Sequence, residues 1–173
     1  MLEFIKIWAF AIFAAILYGI LHDQVTIRVC PEYFTVYHMD IGLSGNLTLL
    51  ALAWGVFATW WMGAILGFPL ALAARVGSLP TVKAIQLLKP MGVLLCVMAF
   101  SALIAGIAGY YSTNGPVMVE IKGVQVPYLQ SEPRFIADLY AHNTSYFIGA
   151  WGAVVLCAWV WAMRRRMRIH NET

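Results

Sequence analysis

Apolar residues run along this chain in four long blocks, Phe4–Leu21, Leu47–Ala74, Met91–Tyr111 and Ser145–Met163, separated by stretches where polar and charged residues gather. Crossing a hydrocarbon core about 30 Å thick takes about 20 mostly apolar residues wound as a helix, and a backbone in lipid must satisfy its own hydrogen bonds. The pattern therefore predicts an all-α membrane fold. It is expected to be a four-transmembrane-helix bundle forming one integral membrane domain over residues 1–173. Connections at 22–46 and 112–144 fall on one side, with a short basic connection from Arg75 to Lys89 on the other. The first block ends in Leu21-His22-Asp23-Gln24, without the small-residue cleavage pattern of a signal peptide, so a retained helix is expected.

Between the blocks the periodicity changes. Val25, Ile27 and Val29 alternate with Thr26 and Arg28, a strand-like pattern that Cys30-Pro31 should end; Glu32–His38 then suits one or two turns of interfacial helix. Pro116–Pro127 alternates on both arms of a hairpin turning at Lys122-Gly123. With Val25–Val29 it would form a small three-stranded cap. Ser131 and Pro133 open a helix expected to continue unbroken through His142 into the fourth span. The second helix should begin around Asn46. Small residues make smooth faces at Gly63/Gly67 and at Ser101, Ala105 and Gly109 beside Ala102 and Gly106, and these two faces are expected to pack on each other. At least one of Trp60 and Trp61, in the middle of their span, should pack against a neighbouring helix.

Composition agrees with the pattern. The chain is 62% hydrophobic, 11% charged and has a mean hydropathy of +0.78, against an apolar share of about half in soluble domains. Lys6, Arg75, Lys83, Lys89, Arg164, Arg165, Arg166 and Arg168 fall in the tails and the middle connection, while only Arg28, Lys122 and Arg134 fall on the other side. By the positive-inside rule both termini are expected to be cytoplasmic. The Arg164–Arg168 cluster reads as a stop-transfer anchor against anionic lipid. Six of the eight acids, Asp23, Glu32, Asp40, Glu120, Glu132 and Asp138, lie on the opposite, outer side.

That outer side also carries the candidate chemistry. His22-Asp23 stands at the exit of the first helix, Glu32 and His38 follow, and Asp138 and His142 sit one helical turn apart at the entry of the fourth. If those helix ends are neighbours, His22, Asp23, Glu32, His38, Asp138 and His142 supply imidazole and carboxylate, the ligands of a divalent transition metal such as zinc, iron, manganese or copper. The same groups also suit hydrogen bonds tying loops to helix ends, with Asp138 and Glu32 pairing Arg134 or Arg28, or metal-free acid/base work. Other classes find less support. The cysteines Cys30, Cys96 and Cys157 form no CxxC pair, no serine lies in a G-x-S-x-G elbow, and no ionisable residue sits at the centre of a span, where transport pathways show themselves. No phosphate-binding glycine loop and no nucleic-acid signature occurs.

His22-Asp23-Gln24-Val25-Thr26, Glu32-Tyr33-Phe34-Thr35 and Asp138-Leu139-Tyr140-Ala141-His142 followed by Ser145-Tyr146 resemble segments of a group of small uncharacterised bacterial four-span inner-membrane proteins. The resemblance implies a bacterial inner membrane, with the outer face periplasmic, and brings no reaction with it. Two readings follow. One is a membrane protein whose periplasmic-face His/Asp/Glu site acts on a lipid-borne or periplasmic small molecule. The other is a non-catalytic accessory or assembly subunit that uses its Gly/Ala faces and aromatic cap to hold a larger membrane partner, or a further copy of itself.

Overall fold

The first helix, α1, runs from Leu2 to Val29, continuing well past the apolar block through the segment whose alternation reads as a strand. A computed structural model of the chain describes residues 1–172, with side chains through His170; Thr173 and the Glu172 carboxylate lie outside the described residues. The reason for the longer helix is cooperativity: extending an existing helix adds one hydrogen bond per residue fixed, whereas an isolated strand has no partner. Burial gives the face. Asp23, Thr26, Ile27 and Cys30, spaced by three and four, are buried, and Val25 and Val29 point out. The three-stranded cap therefore does not form. At Cys30 the backbone leaves helical geometry, and Pro31 opens a short helix α2, Pro31–Thr35.

Helix α3, Leu47–Arg75, is capped by Asn46, whose side-chain oxygen accepts from the Leu49 amide at 3.1 Å. A 3-10 turn over Ala84–Leu87 leads into α4, Leu88–Tyr111. The hairpin follows as β1, Met118–Ile121, and β2, Val124–Pro127, antiparallel with Ile121 opposite Val124. Lys122 and Gly123 both take positive φ, 54° and 79°, as a two-residue hairpin turn requires. Helix α5 then runs without interruption from Pro133 to Glu172. Four of these helices are long and apolar enough to cross a membrane, and large apolar side chains such as Phe13, Phe57, Phe100 and Phe147 face outward.

The bundle is two pairs, α1 packed along α3 and α4 along α5, and this overturns the expected pairing of small faces. Gly63 and Gly67 take the backbone of α1 around Ala11, Ile12 and Ala15, whereas Gly106 and Gly109 take α5 around Ala137 and Ile136. Small residues let any backbone approach closely and do not select which. Gly19 and Gly55 form the tightest crossing of the first pair. A Cβ on Gly55 would stand 2.5 Å from the Ile20 backbone, and one on Gly19 would stand 2.5 Å from the Gly55 carbonyl oxygen. Because backbone is the obstacle, Gly55→Ala forces the two helices apart and should destabilise the chain by about 2 kcal/mol, as overpacking of a filled contact does; a denaturant melt in detergent reads this directly. Trp60 and Trp61 do not pack inside: they remain 50% and 42% exposed on the outer surface of the bundle.

Two apolar clusters close the bundle at its ends. At the hairpin end Ile27, Cys30, Phe34, Leu50 and Phe135 meet; at the other, Ile7, Leu70, Val82, Leu87 and Val160. The second cluster contains a charge. Arg164 lies one and two helical turns beyond Val160 and Leu156 on the same inward face, is 1% exposed, and is not part of a lipid-facing basic cluster. Its guanidinium donates to the carbonyls of Pro80 (2.7 Å), Leu79 (2.8 Å), Val76 (2.9 Å) and Ala73, pinning the end of α3 and the loop after it. Its neighbour Arg165 instead lies over the Trp161 ring at 3.9 Å.

Candidate metal centre

His22 and Asp23 sit on the buried side of α1 near the hairpin end, and α5 brings His142 to them across 119 positions of chain. One ligand atom from each of these three residues lies within 4.8 Å of the other two. His142 Nε2 stands 3.3 Å from Asp23 Oδ1, and the two imidazoles meet edge to face with centroids 4.6 Å apart.

The orientation of His142 is fixed from behind. Its Nδ1 lies 2.8 Å from the Asp138 carbonyl, one turn earlier on α5. A carbonyl can only accept, so Nδ1 carries the hydrogen and Nε2 is left to face Asp23. A backbone carbonyl holding the far nitrogen of an imidazole is the usual outer support of a histidine metal ligand. The ring also stacks on Tyr33, with centroids 4.8 Å apart. His22 stacks on Tyr18, whose hydroxyl is 2.7 Å from Ser145 Oγ. Two polar atoms here are buried without a protein partner, His22 Nε2 and Asp138 Oδ2. Leaving such an atom unsatisfied costs about 1–3 kcal/mol, and for His22 Nε2 an ion held with Asp23 and His142 would relieve that cost.

The structure brings together His22, Asp23 and His142 of the six residues singled out from the sequence. Glu32, His38 and Asp138 stand outside that cluster. Glu32 Oε2 accepts from the Cys30 thiol at 3.6 Å. His38 Nδ1 lies 2.7 Å from the Tyr33 carbonyl and its ring packs against Trp54, because the turn after α2 swings it towards α3. Asp138 is 1% exposed and contributes its carbonyl to His142. Neither Asp138 nor Glu32 pairs with Arg28 or Arg134. Arg28 reaches Gln24 Oε1 at 2.9 Å and Thr48 Oγ1 at 3.1 Å. Between α1 and α2, burial pushes the Cys30 thiol up to about 11, so it is a poor nucleophile; burial likewise raises the Tyr33 phenol.

A cavity opens from the cluster into the seam between the two helix pairs. Its volume is about 100 Å³, and it is partly open to the surroundings. The Tyr18, Ser145 and Tyr146 side chains join His22, Asp23 and His142 at its polar end, and Leu70, Met91 and Leu156 line its far end. Tyr18 and Ser145 were legible only through spacing, four residues before His22 and three after His142, which places each on its partner's helix face. No protein-family model matches the chain, and neither a curated protein nor a solved structure matches it.

Proposed function

We propose that this chain is a multi-pass protein of the bacterial inner membrane in which His22, Asp23 and His142 hold a divalent transition metal that acts on a lipid-borne or periplasmic small molecule. The observation carrying the reading is the convergence of two imidazoles and a carboxylate from α1 and α5 into a buried cluster at the mouth of a cavity. Three protein ligands are the complement of catalytic zinc sites, and two histidines with one carboxylate are that of non-haem iron(II) oxygenases; both leave a coordination position for substrate or water. A metal held here supplies Lewis-acid polarisation of an oxygen on that molecule. The chain's own residues fix the imidazoles, through Asp138 and Tyr18, and surround the reacting end with the hydroxyls of Tyr18, Ser145 and Tyr146. Metal analysis of the detergent-purified chain tests this: one transition-metal ion per chain is expected, and a metal-free preparation that takes up neither zinc nor iron(II) overturns it.

The orientation rests on charge. Arg75, Lys83, Lys89 and Arg164–Arg168 lie towards the end opposite the hairpin, so that end is cytoplasmic and the metal cluster faces the periplasm. Alkaline phosphatase fused after residue 40 or after residue 130 should be active, and a fusion at the C-terminus inactive. Activity confined to the C-terminal fusion would invert the assignment.

A further inference from the structure

The hairpin between α4 and α5 has one apolar face and one mixed, more polar face. Val119 stands opposite Val126 and Ile121 opposite Val124, and because side chains alternate along a strand these four point to one side. The Tyr128 amide donates to the Val117 carbonyl at 2.7 Å, which extends the ladder by a pair and adds Val117 and Tyr128 to that side. The other side carries Met118, Glu120, Gln125 and Pro127. None of the strand residues is buried, and Ile121 and Val124 are 56% and 60% exposed. A two-stranded hairpin is marginal in water unless something covers its apolar face.

Its root lies close to the level at which the apolar bundle ends. Gly109, near the end of α4, packs against the Ile136 backbone of α5. The root is tied to the chain just before α5, where Ser131 Oγ accepts from the Val117 amide at 2.7 Å. From Ile136 back to Ser131 the chain is part helical and part extended, so the root stands at most about 11 Å beyond that level. Tyr110 and Tyr111, the second of them 79% exposed, end α4 there, and the outward face of α4 leads up to them through Phe100, Ile104 and Ile107. Amphipathic rings at the end of an apolar helix mark the headgroup region.

We infer that the hairpin lies on the lipid surface, its apolar face set into the boundary between headgroups and acyl chains beside Tyr110 and Tyr111. Amphipathic elements sink such a face about 5–10 Å into that boundary. The depth suits a ribbon with open edges, whose unpaired amides and carbonyls need water and could not enter the hydrocarbon. Lys122, at the turn, can extend to the lipid phosphates, while Glu120 stays on the side away from them. A protein partner fits less well: six side chains fall far short of the roughly 20–30 residues a side of a specific interface. Four-residue strands, one ending in Pro127, also offer little edge for an added strand. The inference depends neither on the metal centre nor on which side of the membrane the hairpin occupies.

The test uses the full chain in nanodiscs of phosphatidylethanolamine and phosphatidylglycerol, with the photo-crosslinking residue p-benzoylphenylalanine in place of Val124 or of Gln125. On irradiation the Val124 variant should gain the mass of one phospholipid, and the Gln125 variant should gain none above background. The same substitution at Ile121 repeats the first measurement should the Val124 variant not fold. Trypsin supplies a second readout, cleavage after Lys122 identified by fragment mass. Ile121→Asp with Val124→Asp should speed that cleavage at least about tenfold, because cleavage tracks the population lifted off the lipid and each carboxylate opposes its return. Lipid adducts equal at positions 124 and 125, or a tryptic rate unchanged by the two aspartates, overturn the inference. So does a Val124 crosslink to a second chain, which would make the face a contact between copies, or to a helix of its own chain.

Discussion

Replacing His142 with alanine lowers zinc or iron(II) affinity by at least about a hundredfold. A four-ligand structural zinc site is worth about 10–16 kcal/mol, so one ligand accounts for roughly 3 kcal/mol, which is more than two decades of affinity. The variant also strands Asp23, whose Oδ1 loses the imidazole 3.3 Å away. His22→Ala removes the other imidazole, with centroid 4.6 Å from that of His142, and should act alike. His38→Ala serves as the contrast: it deletes a ring packed on Trp54 and Phe34, lowers stability, and leaves metal content intact. Elemental analysis alongside a thermal melt distinguishes the two patterns. If His142→Ala and His38→Ala lose metal equally, the ligand assignment is wrong.

Replacing Arg164 with methionine destabilises the chain by about 4 kcal/mol, on the order of 10 °C in melting temperature for a domain of this size. Methionine fills much of the space but donates nothing, so the carbonyls of Ala73, Val76, Leu79 and Pro80 lose their shared donor at once. The last carbonyls of a helix have no internal partner, and a cation there also opposes the negative end of the helix dipole. Arg164→Lys recovers only part of the loss, because one ammonium cannot reach four acceptors in a fixed fork. Arg166→Met, from the exposed side of α5, should be close to neutral. Circular dichroism melts of the three variants in one detergent give the comparison, and a shift for Arg164→Met no larger than for Arg166→Met would remove the anchor from the account.

Local signals carried much of this architecture. The four apolar blocks, the helix start at Asn46, the turn at Lys122-Gly123 and the unbroken helix from Pro133 each have a cause within a few residues and are found where that cause lies, whereas Ser131, expected to cap the last helix, instead accepts from the Val117 amide and donates to the Tyr128 carbonyl. What the sequence left open depends on partners far along the chain. Val25–Val29 reads as a strand because β-branched residues alternate there, yet the face of Asp23, Thr26, Ile27 and Cys30 has helical spacing and is the buried one. Gly63 and Gly67 announce a close approach without naming the helix that makes it. Arg164 was hidden among like charges, and only its register with Leu156 and Val160 marks it as inward. At the site, residue type and position at helix ends brought out His22, Asp23 and His142. The separate placement of Glu32 and His38 follows from the bend at Pro31, which no periodicity encodes.

The Arg164 anchor also imposes an order on biosynthesis. The junction after α3 is made between residues 73 and 82, but the side chain that fixes it belongs to α5 and is translated more than 80 residues later. Until position 164 leaves the ribosome, those four carbonyls lack the guanidinium that joins them.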